Sequence, residues 1–270
     1  MTNHQQADSQ AMDSSSMHKE VMGVPTVGEE GPLKSWLDEV IFGQIWTRPG
    51  LSRRDRRFVT LACVAAADVR APLEQQVYAA LSSGDISFAE MTETVLHFAV
   101  YCGWPKASLF QEVVDRQWQK IHGERGEPVP EPEGLNLASS ADTETRLVEG
   151  ARAFNDINLT ENAPPRTAPY YGAGILNFVF GEVWQRPDLG CRERRLITLA
   201  CVALDDTPIP IQAHAYGALA SGDTTWDEMQ EVILQIAAYS GWPKASHLAQ
   251  KAREQQDRVE SERRAGSLKS

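Results

Sequence analysis

The chain has 270 residues, 42% of them hydrophobic, and a net charge of −11. That length allows one large domain or two ordinary ones, with enough apolar content for a sizeable core. The acidic balance argues against a nucleic-acid partner, which needs a basic face, and equally against an anionic membrane surface.

No run is long enough to span a bilayer. The start, MTNHQQADSQAMDSSSMHKE, lacks a basic region leading into an apolar one, so no secretory signal is read there. Cys63, Cys102, Cys191 and Cys201 form no CxxC pair, and a reduced, cytoplasmic setting is the default.

Residues 1–30 are polar and rich in Ser, Gln and Met, which predicts a disordered tail. A helix is predicted from Pro32 through LKSWLDEVIFGQIW, with Arg48-Pro49-Gly50 ending it. Ser52 and Asp55 form a capping-box pattern, after which Phe58, Leu61, Ala62 and Ala65 recur at helical spacing. Pro72 starts a third helix to Leu81, broken at Ser83-Gly84-Asp85. Ser87 and Glu90 cap a fourth, with Met91, Val95, Phe98 and Ala99 on one face. Gly103-Trp104-Pro105 is a turn into a last helix towards Lys120. Residues 122–142 are rich in Pro and Gly and read as a linker. A helix from Thr143 to Asn158 follows, then the turn NAPPRTAP.

From Tyr170 the pattern returns. Phe42 to Ser108 matches Phe180 to Ser246 without a gap, 138 positions on, with about half the residues identical. No strand-like alternation occurs. The expectation is an all-α chain of two helical repeats, 31–121 and 143–262, with a flexible 263–270. Two copies are too few for a solenoid. A pseudo-twofold pair imitating a homodimer accounts for them better.

The copies differ where chemistry is concerned. His214 stands where the first copy has Gln76, a change that keeps hydrogen bonding and removes proton transfer. The plainer alternative for His214 is a packed helix residue satisfied by a carbonyl. Arg192, Arg194 and Arg195, with counterparts Arg54, Arg56 and Arg57, either pair with nearby carboxylates or offer one fork to a substrate carboxylate. Trp46, Trp104, Trp184 and Trp242 read as core or interface packing, and Cys63 and Cys201 as core thiols. Two His and one Glu could form a metal triad, but no tight spacing supports one, so neither metal nor cofactor is expected.

The runs FGEVWQRPDLGCRERRLITLACVAL, IQAHAYGALASG and EVILQIAAYSGWPKASH resemble the carboxymuconolactone decarboxylase family of the AhpD-like superfamily. The resemblance covers both copies, from about residue 33 to 255. It implies a cofactor-free proton-transfer enzyme acting on a small carboxylated or enolisable molecule. The reaction would be decarboxylation, or isomerisation, dehydration or cyclisation by the same groups. It also implies catalytic roles for His214, Glu193 and His247, and beside them Arg192, Arg195 and Trp184 are the candidate substrate contacts. The first copy has Asp55, Gln76 and Leu109 at the catalytic positions and reads as eroded. The peroxidase branch uses a CxxC near the matching His, and 73–76 and 211–214 contain no cysteine. A thiol-dependent antioxidant protein and a non-catalytic scaffold remain as rival readings. The family's oligomers imply a homo-oligomer here, a trimer of fused two-repeat chains.

Overall fold

The computed structural model describes residues 16–23, 31–131 and 142–268. Helix α1 covers 16–22. Helix α2 (Pro32–Trp36) continues as π-helical turns over Leu37–Ile45, closed by a bond from Trp46 N–H to the Ile41 carbonyl. Then come α3 (Arg53–Ala66), α4 (Arg70–Ser83), α5 (Phe88–Cys102) and α6 (Trp104–Arg125). Helix α7 (Thr143–Asn158) leads to a second π-helical stretch, Tyr170–Phe180. The last four are α8 (Cys191–Leu204), α9 (Pro208–Ser221), α10 (Trp226–Ser240) and α11 (Trp242–Arg264). No strand occurs among the described residues, so the all-α expectation holds.

The local chemistry explains the boundaries. Ser52 caps α3 by accepting from the Asp55 amide at 3.0 Å. Ser87 with Glu90 and Thr225 with Glu228 form complete capping boxes on α5 and α10. Each satisfies two backbone donors that a helix start leaves unpaired. Gly103 and Gly241, with φ of 84° and 94°, turn the chain sharply into α6 and α11, a conformation that side chains disfavour.

Helices α3 and α8 pack on each other at the centre. Helix α10 then lies against α3, and α5 against α8. Each half of the chain therefore lends a helix to the other, and one apolar core runs continuously from Leu51 to Val259. Burying that much apolar surface is the main stabilising term. It encloses four arginines, Arg56, Arg57, Arg194 and Arg195, whose charges must find partners inside.

Several expectations need correction. Residues 16–22 of the expected disordered tail are helical. Val21 and Met22 are buried with Phe42 and Trp46, and that burial offsets the ordering entropy. The rest of 1–30, apart from Gly23, lies outside the described residues. Helix α6 runs beyond Lys120 into the expected linker, because Ile121 and His122 are buried and the left-handed Gly126 ends it. Residues 132–141 of that linker also lie outside the described residues. Trp104 and Trp242 are 59% and 58% exposed, so neither fills the core. No helix among the described residues is long and apolar enough to cross a membrane.

Candidate active site

The sequence points to Glu193, His214 and His247, and the structure gives each a different neighbourhood. Glu193 accepts from the Gly190 amide at 3.0 Å and faces Arg54 at 3.5 Å, so it closes the start of α8. His247 pairs through Nδ1 with Asp206, in the turn between α8 and α9. His214 is buried on α9 at 8% exposure. Among the described residues no hydrogen bond or ion pair joins any two of the three.

His214 instead faces α5, which comes from the first half of the chain. The Tyr101 ring stands edge-on to it, centres 5.4 Å apart. His97, one turn earlier on α5, lies 5.2 Å from Tyr101 and 5.0 Å from Trp184. Trp184 Nε1 donates to the Tyr101 hydroxyl at 3.2 Å. The Arg195 guanidinium lies over the Trp184 ring at 5.3 Å. Arg195 donates to Asp223 at 3.3 Å and to the Ile157 carbonyl at the end of α7. The buried atoms here that find no partner among the described residues include His214 Nδ1 and Arg195 Nη1. Such groups are costly in a protein interior.

Gly217, one turn beyond His214, makes the close packing possible. A Cβ there would stand 2.9 Å from Arg195 Nη1 and 3.0 Å from its central carbon. The guanidinium therefore lies directly against the backbone of α9. Burial, then the charge of Arg195, lowers the His214 pKa to about 3. The ring is neutral at physiological pH. Burial, then the charges of Arg194 and His214, also lowers His97 well below its usual value.

The same contacts recur 138 residues away with different chemistry. Trp46 Nε1 donates to Tyr239 at 2.9 Å, as Trp184 does to Tyr101. Arg48 grips Glu231 at 2.8 and 2.9 Å, and Arg186 grips Glu93 at 2.8 and 3.0 Å. Gln235 takes the place of His97 and Gln76 the place of His214. Because each half lends a helix to the other, His97 and His214 meet in one cluster, and Gln76 and Gln235 in the other. The glutamine cluster is closed by α1. Gln76 donates to Met22 Sδ at 3.4 Å and accepts from Arg57 at 3.5 Å, while Arg57 also donates to the Val21 carbonyl. In the histidine cluster α7 stands where α1 does, its Ile157 carbonyl accepting from Arg195, and the side chain of Asn158 turns back to the Phe154 carbonyl at 2.9 Å.

His97 was not anticipated from sequence, although the exchange of His97 for Gln235 is the reverse of Gln76 for His214 and marks it equally well. Arg192 is occupied by Glu228 at 2.6 Å, Asp55 at 3.0 Å and the Asp223 carbonyl at 2.7 Å. A groove of about 410 Å³ between α10 and α11, walled by Trp226, Ile233 and Trp242, contains none of these residues. Burial pushes the Cys63 thiol up to about 12 and raises Cys201 well above its usual value, so neither is a ready thiolate.

The model of the carboxymuconolactone decarboxylase family matches residues 169–254, which include Trp184, Arg195 and His214. The chain is 35% identical over 101 residues to the nitrosuccinic acid decarboxylase of Metarhizium robertsii, covering 35% of this chain and 70% of that protein. It is 25% identical over 88 residues to the 4-carboxymuconolactone decarboxylase of Acinetobacter baylyi, covering 33% of this chain and 65% of that one. By these matches the chain belongs to the carboxymuconolactone decarboxylase family.

Proposed function

We propose that the chain is a decarboxylase of small organic acids whose reacting centre lies between His214 and Arg195. The observation that carries this reading is the pair of unpartnered buried atoms, Arg195 Nη1 and His214 Nδ1, beside an aromatic wall of Trp184 and Tyr101. A carboxylate between them would complete both hydrogen-bond sets, and arginine is suited to grip it. Arriving negative charge also favours the protonated imidazole. His214 would then take up a proton as the acid binds and hold it ready for the product carbon. In this reading Glu193 and His247 keep their observed partners and support α8 and the α8–α9 turn.

Both similar proteins are named for acids that lose CO2. Nitrosuccinic acid and carboxymuconolactone each pair the departing carboxylate with an electron-withdrawing group. Loss of CO2 leaves the electron pair of the broken C–C bond on that group, and protonation at carbon completes the reaction. The same proton-transfer groups would serve an isomerisation. Helix α7 covers the cluster through its bond to Arg195.

Tandem repeats related by a pseudo-twofold are part of this reading. The matched tryptophan–tyrosine and arginine–glutamate contacts support them, and a trimer of such chains would follow. Molar mass in solution tests the trimer, and a plain monomer would remove it. The activity itself is tested by CO2 release from a panel including nitrosuccinic acid and carboxymuconolactone. Wild type should release CO2 from at least one acid and His214→Gln should not. Equal release by both would sink the proposal.

A further inference from the structure

The polar chain behind Tyr101 has a fixed direction as far as Thr198. Arginine only donates. Arg194 Nη1 faces His97 Nδ1 at 3.4 Å, so Nδ1 is the acceptor and the neutral ring carries its proton on Nε2. That nitrogen lies 2.9 Å from Thr198 Oγ1 and therefore donates to it. Thr198 in turn is hydrogen-bonded to the Tyr101 hydroxyl, and a hydroxyl that accepts from His97 can still accept a second time or donate. Trp184 donates to the same Tyr101 oxygen at 3.2 Å. The Tyr101 oxygen thus accepts from Trp184, and its own proton can turn between Thr198 and a ligand on the His214 side.

The glutamine cluster supports this polarity independently. Gln235 accepts from Arg56 at 3.2 Å through its oxygen and donates to Thr60 at 2.8 Å through its nitrogen. An amide has one accepting and one donating end, and it occupies the place of His97 in the same sense. There, however, Tyr239 is hydrogen-bonded to Gln76. In the histidine cluster no hydrogen bond joins Tyr101 to His214 among the described residues, although their ring centres are 5.4 Å apart.

We propose that Tyr101, supplied by the first half of the chain, is a catalytic residue of the second-half site. Its hydroxyl would turn its proton to the substrate oxygen that gains negative charge as CO2 leaves. His97 is the positioning residue that orients it through Thr198. The inference rests on the decarboxylase reading and extends it. The C–C bond to the carboxylate breaks, its electron pair moves through carbon onto a nitro or carbonyl oxygen, and Tyr101 donates a hydrogen bond to that oxygen. The carbon then takes the proton held by His214, and the ring returns to its neutral form. A preplaced donor of this kind contributes roughly 10²- to 10³-fold in rate. The first half is accordingly a working part of the site.

The test uses the full chain and two probes. One is the nitronate of 3-nitropropionate, the carbanion that nitrosuccinic acid leaves on losing CO2 from its nitro-bearing carbon. The other is succinate, an unreactive diacid without the charged nitro oxygen. Tyr101→Phe should weaken nitronate binding at least about 30-fold, in the range of a lost donor to a localised charge, and change succinate affinity less than about twofold. On an acid that is turned over, kcat should fall with little change in KM. His97→Gln, which copies the amide at Gln235, should keep nitronate binding near wild type, and His97→Leu should weaken it. Nitronate binding unchanged in Tyr101→Phe, or no nitronate binding by wild type, would overturn the inference. Tight, Tyr101-dependent nitronate binding without CO2 release from any acid would uphold the oxyanion site and overturn the decarboxylase reading instead.

Discussion

His97 and His214 flank the same phenol ring, their centres 5.2 and 5.4 Å from that of Tyr101. They belong to opposite halves of the chain. They meet because α5 packs on α8, and the corresponding packing of α10 on α3 brings the two glutamines together instead. The distribution of imidazole and amide between the clusters thus follows from which helix each half lends.

The glutamine cluster gives a ready-made control. Gln76 shows that an amide fits the place of His214 without disturbing the helix, so His214→Gln should fold with thermal stability near wild type. Turnover should be lost, and calorimetry beside the activity assay separates the two effects.

The same variant should change the response to acid. His214 is neutral in the fold with a pKa of about 3, against an unfolded value near 6.5. A depressed histidine leaves the unfolded state binding more protons between these values, so stability rises with pH across that window. The contribution is complete above about pH 6.5 and is lost as pH falls towards about 3, at roughly 1.4 kcal/mol per pH unit. His97 is shifted in the same direction. Urea unfolding of His214→Gln between pH 4 and 7 should show a flatter pH dependence than wild type, with the His97 part remaining.

Gly217 governs where Arg195 lies. Gly217→Ala would press a methyl group onto the guanidinium at 2.9 Å, yet the first half carries Ala79 at the corresponding place. The variant should fold normally, helped by about 1 kcal/mol of helix propensity. The displaced Arg195 should raise KM for a carboxylate substrate several-fold. Steady-state kinetics with the melting temperature checks both parts.

Glu93 holds Arg186 at 2.8 Å and stands 3.7 Å from Arg194, with its side chain only 4% exposed. Removing one partner of a buried ion pair leaves the other charge uncompensated, at about 3–5 kcal/mol. Glu93→Ala should therefore destabilise by that order in chemical denaturation. It should also disturb Arg194, which sets the tautomer of His97.

Much of the helical framework was legible in the sequence. The capping pairs at Ser52 and Ser87 and the glycine turns act through neighbours in the chain, and they mark real boundaries. His214 was legible as a difference from Gln76. The company it keeps was not, because Tyr101 and His97 reach it only through the packing of α5 on α8. Glu193 and His247 were grouped with it by resemblance, whereas their partners Arg54 and Asp206 are set by tertiary contacts. The helix at 16–22 escaped notice because its polar composition hides two residues, Val21 and Met22, that find a cleft beside Phe42 and Trp46.

The central claim is that the free faces of His214 and Arg195 receive the substrate's carboxylate. It is tested most directly by following the ring nitrogens of His214 by NMR through a pH titration, with and without succinate. The ring should stay neutral down to about pH 4 in the free protein and should be protonated near neutral pH with the diacid bound. That upward shift should vanish in Arg195→Met. Saturating succinate that leaves the His214 titration unchanged would contradict the claim.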